Sequence, residues 1–224
     1  MIGDAPLLSC TGLSRFYPPA TWALREANLN LYPGQSVAIS GASGSGKSTL
    51  LGLLGLLDSP TQGSIKISGQ ELAQADDSER TRIRSEYIAF VFQAFHLVQH
   101  LTAQENISYA LENRGVKRNE ARYRAQKALE AVGLNHRLNH RPSSLSGGEQ
   151  QRVGVARALA CKAPLILCDE PTGNLDTENS HRVLDLLLEY RESALVIITH
   201  EPDIAERCDR HLMMVDGCLM EKGG

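Results

Sequence analysis

Short apolar runs alternate with turn residues in the first part of the chain, to about Gly34, which predicts short strands and turns. Residues 36–40 form a β-rich run that leads into a glycine, and they predict a further strand. The sequence LLGLLGLLD, from Leu50 onwards, is apolar on most sides and predicts a buried helix. A short apolar run over Ile88–Phe92 is another candidate strand.

The pattern changes to helical spacing between about Ala94 and Pro142. Apolar residues recur there at the helical period, at Ala121, Ala125, Ala128 and Val132. Gly133 follows them as a typical helix end. We interpret the basic residues of this segment as a solvated helix face, because charge runs are usually surface.

Strands and helices alternate again in the last third of the chain. Two apolar runs, Leu165–Cys168 and Ala194–Thr199, are candidate strands. A helix is predicted between them over Thr177–Tyr190, with its apolar residues on one stripe. Asp216-Gly217 between short apolar runs predicts a terminal hairpin. This alternation predicts an α/β fold around a parallel sheet with both faces covered.

Composition and charge narrow the class of protein. The 224 residues suit one domain with a sizeable core, and 42% of them are hydrophobic. A net charge of −3 lacks the basic excess of nucleic-acid binders, so no nucleic-acid partner is predicted. Five scattered cysteines without a CxxC pair favour free thiols in a reducing compartment. Neither a signal peptide nor a run of about 18 apolar residues is found, which predicts a cytoplasmic protein.

The run Gly41–Ser48 satisfies the phosphate-loop pattern GxxxxGK[ST] completely, between a predicted strand and a predicted helix. Such a loop curls so that backbone N–H groups point at phosphate oxygens, and the helix N-terminus adds partial positive charge. Lys47 is predicted to reach the terminal phosphates, and the Ser48 hydroxyl to coordinate Mg²⁺. The alternative, an ordinary glycine-rich turn, is disfavoured by motif and context together. The residues assigned to nucleotide binding are Gly41, Ser43, Gly44, Ser45, Gly46, Lys47, Ser48 and Thr49.

Two carboxylates follow the apolar run Leu165–Cys168. A charge at the end of a buried strand is costly unless a cation pairs with it, so Asp169 is predicted to contribute to the Mg²⁺ site. Glu170 comes after the strand has ended and is assigned as the general base for an attacking water. The alternative is an acidic pair that simply faces solvent.

A second candidate anion site lies in LSGGEQQ, residues 145–151. Ser146 and Glu149 match the S-x-x-E capping box. Gly147 and Gly148, which have no side chains, leave backbone N–H groups accessible at the start of the predicted helix. A plain helix cap is the alternative interpretation. One nucleotide does not need two such loops within one chain.

The order of these motifs resembles that of the ATP-binding cassette (ABC) family, whose signature is LSGG followed by Q, and the resemblance covers nearly the whole chain. It implies that Gln93 touches Mg²⁺ and the attacking water, and that His200 holds the γ-phosphate. Asp176 matches the loop that communicates across a dimer. Tyr17 matches the aromatic position that stacks on adenine, although the neighbouring Phe16 is an alternative.

The resemblance also implies a fold and an assembly. The fold would be that of a P-loop NTPase (RecA-like), a parallel-sheet core with an antiparallel β subdomain and an inserted helical subdomain. Residues 1–93 and 157–224 would form the nucleotide-binding core, and residues 94–156 the helical subdomain with the signature. Two copies would pack head to tail, with each ATP and its Mg²⁺ between one phosphate loop and the other copy's Ser146, Gly147 and Gly148.

Three segments resemble one branch of the family, the ATPases of lipoprotein-releasing, macrolide-exporter and haem-exporter systems: Phe92–Leu97, Leu101–Asn106 and Asp169–Asp176. The implied function is MgATP hydrolysis that drives a separate integral membrane permease, from the inner face of the cell membrane. Docking is predicted beside Gln93, with Phe95, Leu97 and Val98 either at the contact or in the helical core. An importer ATPase and a non-transport ABC ATPase are the alternatives, and the cargo would be recognised by the separate subunit.

Overall fold

Two β-sheets and a set of helices make up the part of the chain that the computed structural model describes, residues 5–222. The strands are β1 (Leu8–Tyr17), β2 (Thr21–Leu31), β3 (Ser36–Ser40), β4 (Gln62–Ile67), β5 (Gln70–Glu71), β6 (Ile88–Val91), β7 (Leu165–Asp169), β8 (Ala194–Ile198), β9 (Arg210–Val215) and β10 (Cys218–Glu221). The α-helices are α1 (Lys47–Leu54), α2 (Asp77–Tyr87), α3 (Ala103–Glu112), α4 (Arg118–Ala131), α5 (Gly147–Ala160), α6 (Thr177–Glu189) and α7 (Pro202–Arg207).

The larger sheet has the strand order β10-β9-β3-β8-β7-β6, with parallel pairing from β9 to β6 and an antiparallel β10 at the edge. Its central strands β3, β7 and β8 are buried almost throughout, as expected for a parallel sheet covered on both faces. The register pairs Ile39 and Asp169 with Ile198. The loops that follow β3, β7 and β8 therefore emerge at one edge of the sheet, where α/β proteins place their ligands. The predicted α/β class is confirmed.

The smaller sheet, β2-β1-β4-β5, is antiparallel. The expectation of short strands before Gly34 was wrong, because β1 and β2 run for 10 and 11 residues. Register shifts interrupt their pairing, one of them between Cys10 and Leu13, where Gly12 has φ of 58°. Residues that resemble turn signals in the sequence are thus accommodated as irregularities within long strands.

The helices follow the predictions with two differences. The apolar run after Leu50 stays helical only to Leu54, because Gly55 caps α1 and Leu56 then takes φ of 55°. Helix α2 was not predicted; Ile83 is its only buried residue, so it carries no apolar stripe. The predicted helix between β7 and β8 and the terminal hairpin are both confirmed.

Helix α5 is shared between two apolar clusters. Val153 and Ala156 pack with α3 and α4 in a helical cluster, whereas Val155 and Ala158 pack with residues of β6, β7 and α6. One continuous helix therefore connects the helical segment to the larger sheet. Within residues 5–222, no helix combines the length and apolar character that a membrane crossing requires.

Candidate active site

The phosphate loop joins β3 to α1 and depends on two glycines. Gly41 and Gly46 have φ of 152° and 110°. A Cβ on Gly41 would lie 2.3 Å from the Met214 carbonyl oxygen, and one on Gly46 would lie 2.3 Å from the Ala23 carbonyl oxygen. The loop is packed so closely against β2 and β9 that only glycine fits at these two positions.

Lys47 and the N-terminus of α1 give the loop its positive character. The Lys47 side chain is 7% exposed, and its ammonium donates to the carbonyls of Gly41 at 2.8 Å and Ala42 at 2.7 Å. No side chain among residues 5–222 caps α1, which leaves its first N–H groups available to a ligand. These donors and the helix dipole together form an anion-binding end.

A cleft of about 300 Å³ opens at this end of the sheet. Its lining contains most of the residues predicted for nucleotide binding, metal binding and catalysis: Ser43, Gly44, Gly46, Lys47, Ser48, Thr49, Gln93, Asp169, Glu170 and His200. Two further lining residues, Ala23 and Ile198, were not predicted. Gly41 and Ser45 belong to the same loop without lining the cleft. Four separate chain segments, around Ala23, Gln93, Asp169 and His200, thus converge on the phosphate loop.

The two carboxylates at the end of β7 differ in setting. Burial, and then the neighbouring Glu170, raise the pKa of Asp169, while Lys47 and His200 oppose the rise. Glu170 has left the strand with φ of 47°, and its N–H donates to the Ile198 carbonyl at 3.0 Å. This left-handed step turns the Glu170 side chain into the cleft. A buried carboxylate whose charge is disfavoured gains from a nearby cation.

Glu170 is held from two sides by residues predicted for the site. His200 Nε2 lies 2.8 Å from Glu170 Oε1, and Gln93 Nε2 donates to Glu170 Oε2 at 3.3 Å. Asn174, which was not predicted, donates to the Gln93 carbonyl at 3.2 Å. The geometry therefore orients a carboxylate between an imidazole and an amide beside the phosphate loop.

The signature loop forms a separate surface feature. Ser146 is the N-cap of α5; its Oγ accepts from Glu149 N–H at 3.2 Å, and Glu149 Oε2 accepts from Ser146 N–H at 2.8 Å. The predicted capping box is therefore present. Ser146 and Gly147 are exposed, and neither they nor Gly148 lines the cleft.

The aspartate loop lies against the signature. An ideal Cβ on Gly148 would be 3.4 Å from the Asn174 carbonyl oxygen. Asp176 caps α6 by accepting from Asn179 N–H at 3.0 Å, and Arg152 of α5 donates to Asn179 Oδ1 at 2.6 Å. Asp176 and the signature therefore share one region of the surface, outside the cleft.

Tyr17 also lies outside the lining of the cleft. Tyr17 is 37% exposed, and the Arg15 guanidinium carbon lies 4.7 Å from the centroid of its ring. The Tyr17 hydroxyl donates to Asp58 Oδ2 at 2.8 Å. Arg15 and Asp58 also pair, at 2.8 Å. Phe16 packs on Trp22, with centroids 5.2 Å apart. Of the two candidate rings, Tyr17 is therefore the one that its neighbours anchor near the surface. No sequence motif marks Arg15 and Asp58 as its partners.

Comparisons with known proteins agree with this geometry. The family described as ABC transporter matches residues 24–173. The lipoprotein-releasing system ATP-binding protein LolD of Hahella chejuensis is 44% identical over 222 residues, which are 96% of each chain. The macrolide export ATP-binding/permease protein MacB of the same organism is 42% identical over 95% of this chain and 33% of its own length. A bacterial ABC transporter cassette solved as a dimer is 37% identical, with a TM-score of 0.90, over 97% of this chain and 99% of its own.

Fold, cleft and relatives together define an ATP-binding cassette. The chain belongs to the ABC transporter family and is an ATP-binding, ATP-hydrolysing subunit of that class. The predicted branch is also confirmed, because relatives of the lipoprotein-releasing and macrolide-export types match nearly the whole chain.

Proposed function

We propose that this chain is the ATPase subunit of a lipoprotein-releasing type of transporter and drives a separate integral membrane permease by hydrolysing MgATP. The observation that carries the proposal is the convergence of Lys47, Asp169, Glu170, Gln93 and His200 on one cleft. The 44% identity to a lipoprotein-releasing ATPase over nearly the full length supports the choice of system.

The residues of the cleft suit ATP with Mg²⁺. Lys47 and the free N–H groups of the loop would bind the phosphates, and the base would stack on the anchored ring of Tyr17. Ser48, Gln93 and Asp169 carry hydroxyl, amide and carboxylate oxygens, the hard donors that Mg²⁺ prefers. The raised pKa of Asp169 fits a carboxylate that is completed by a cation. When bound, Mg²⁺ would neutralise charge that develops on the phosphates.

Glu170 would act as the general base. Its carboxylate would accept a proton from the water that attacks the γ-phosphorus, while Gln93 orients that water. As the new bond forms, the bond from the γ-phosphorus to the bridging oxygen breaks, and ADP leaves with that oxygen. His200, 2.8 Å from Glu170 Oε1, would hold both the carboxylate and the γ-phosphate. Each group is placed by the end of a different strand, β6, β7 or β8, so the rigid sheet fixes their relative positions.

The second anion loop would act on the nucleotide of a second copy. The exposed Ser146 and Gly147 and the half-buried Gly148 present a hydroxyl and backbone N–H groups away from the cleft of their own chain. In a head-to-tail pair these donors would close over the partner's γ-phosphate, and Asp176, beside them, would lie at the same interface. Solved relatives form dimers, including one in a post-hydrolysis state with ADP and phosphate.

The permease would dock in a groove next to Gln93, and the subunit would then lie on the inner face of the cell membrane. The groove, of about 280 Å³, is lined by Phe92, His96 and Arg114 among others. Leu97 is 7% exposed and packs in the helical cluster, so it fills that core and is not a docking contact. We keep the proposed division into residues 1–93 and 157–224 as nucleotide-binding core and 94–156 as helical subdomain, with α5 as their rigid connection.

The chemistry is tested by Glu170→Gln. Loss of the base is expected to slow hydrolysis by roughly 10²–10⁴-fold while ATP still binds. The variant should therefore accumulate as an ATP-bound dimer in size-exclusion chromatography, with Glu178→Gln, an exposed change on α6, as the matched control. A Glu170→Gln protein that hydrolyses ATP normally, or stays monomeric with ATP, would show that the assigned role is wrong.

The cargo is tested with any integral membrane protein encoded beside this chain's gene, taken as the candidate permease. The two proteins are expected to co-purify, and vesicles that contain both should release a lipoprotein in an ATP-dependent way. The Glu170→Gln complex should release none. Export of a macrolide without lipoprotein release would instead assign the subunit to the macrolide type of system.

A further inference from the structure

A tight turn after β6, residues 92–96, carries Gln93 and has an unusual backbone. The N–H of Phe95 donates to the Phe92 carbonyl at 3.2 Å, and that of His96 to the Ala94 carbonyl at 2.6 Å. Phe95 and His96 have φ of 59° and 49°. Two successive residues with a Cβ in the left-handed region cost free energy. The Phe92 and His96 rings stack within the turn, with centroids 4.6 Å apart, and contacts from outside the turn add to this support.

Arg157, on α5, supplies those contacts. Its guanidinium donates to the Phe95 carbonyl at 3.0 Å through Nη2 and to the His96 carbonyl at 2.8 Å through Nη1. In the part of the chain that the structure describes, the guanidinium donates only to the carbonyls of these two left-handed residues. The planar fork of arginine can satisfy two neighbouring acceptors at once, which a lysine cannot do in the same way.

The turn also packs against the same helix. The Phe95 ring lies 3.8 Å from an ideal Cβ on Gly147, and the Phe95 carbonyl oxygen lies 3.8 Å from one on Gly154. Small residues on this stripe of α5 let the turn approach the helix closely. Within residues 5–222, Arg157 forms no ion pair with a carboxylate, and burial lowers its pKa. Hydrogen bonds from a poorly solvated guanidinium are strengthened by the low local dielectric.

The 92–96 turn sets the position of Gln93, whose side chain contacts Glu170. We infer that Arg157 is a positioning residue that holds the 92–96 turn in its left-handed form, and so fixes Gln93 against the catalytic carboxylate from the signature helix. This inference rests on the proposed role of Gln93 at the site. Because the same helix begins at the signature, Arg157 would transmit movement of that loop to Gln93.

The first experiment compares ATPase kinetics of the full chain with Arg157→Gln and Arg157→Lys. Misplacing Gln93 is expected to lower kcat by on the order of 10-fold to 10²-fold with KM for ATP changed less than about twofold. Arg157→Lys, which keeps the charge but loses the fork, should be intermediate. Arg124→Gln is the control and should match the wild type, because Arg124 is a partly exposed α4 residue that pairs only with Glu120 on the same helix within residues 5–222. Unchanged kcat in both Arg157 variants would overturn the inference.

The second experiment asks whether the left-handed backbone is what Arg157 supports. His96→Gly removes the conformational cost at one residue, so in the Arg157→Gln background it should restore kcat several-fold. His100→Gly, an exposed change outside the turn, should restore nothing. No rescue by His96→Gly would overturn the inference.

Two further measurements separate the possible failures. Hydrogen exchange at residues 92–96 should be faster in Arg157→Gln and slowed again by His96→Gly, even if the single variant is less stable overall. Gln93→Ala tests the proposed function on its own. Wild-type kcat in Gln93→Ala would refute the role of Gln93, whereas a slow Gln93→Ala with fully active Arg157 variants would refute only the inference.

Discussion

Two glycine-rich loops, the phosphate loop and the signature loop, lead into helices α1 and α5. The N-termini of these two helices are capped in opposite ways. At α1 the N-cap is Gly46, in the left-handed region, and no side chain caps the helix. At α5 Ser146 is the N-cap and forms a capping box with Glu149. The first N–H groups of α1 are therefore available to a ligand, whereas the capping box of α5 already bonds one of its N-terminal N–H groups.

The loops also differ in how tightly the rest of the chain packs around them. A Cβ on Gly46 would lie 2.3 Å from the Ala23 carbonyl oxygen, whereas one on Gly148 would meet only Leu175 Cδ2 at 3.3 Å and the Asn174 carbonyl oxygen at 3.4 Å. The first loop is enclosed by its own chain. The second presents its donors outward, which is the arrangement expected of a half-site that a second copy completes.

Lys47→Ala should give the largest effect on ATP binding, because it removes the cation of the enclosed loop. Loss of one partner of a buried charged contact costs about 2–5 kcal/mol, or about 30-fold to 5,000-fold in ATP affinity. Titration calorimetry with ATP measures it, and Lys66→Ala, an exposed change on β4, is the control. Wild-type affinity and turnover in Lys47→Ala would show that the enclosed loop is not the primary phosphate site.

Ser146→Arg should abolish hydrolysis while leaving ATP binding by the single chain intact. The bulky side chain would occupy the space into which the partner's phosphates must enter, and loss of the cap should cost only about 1 kcal/mol of stability. Ser85→Arg, an exposed change on α2, controls for the added charge. Wild-type activity per chain should depend on protein concentration; activity that is first order in a lone subunit would contradict the half-site interpretation.

Sequence reasoning predicted most of what lies at the enclosed loop because the relevant signals are local. The phosphate-loop pattern fixes residue type and spacing within eight positions, and β3 and α1 confirm its predicted context. Asp169 was recognisable because an apolar strand ends on it. The S-x-x-E pattern of the signature loop is also a local signal, and the capping box that it predicts is present.

Other features depend on distant contacts and leave no local pattern. The left-handed backbone of Phe95 and His96 occurs in residues other than glycine, and the arginine that holds it lies 61 and 62 positions away in the chain. Helix α2 escaped prediction because it has no apolar stripe. The placement of Tyr17 depends on Asp58, 41 positions away. Such features arise when tertiary packing overrides local preference.

Gln151→Met should give the smallest effect. It tests whether the side-chain amide of Gln151, on α5, forms hydrogen bonds. Gln151 is 1% exposed, and neither atom of its amide has a hydrogen-bond partner within residues 5–222. An unpartnered buried polar group costs about 1–3 kcal/mol, so an apolar side chain of similar length should raise Tm by about 2–4 °C for each kcal/mol regained. The matched control is Gln150→Met, which loses a 3.1 Å hydrogen bond to the Leu145 carbonyl and should lower Tm slightly. Differential scanning calorimetry measures both, and a fall in Tm for Gln151→Met as large as that for Gln150→Met would mean that the Gln151 amide is hydrogen-bonded in solution.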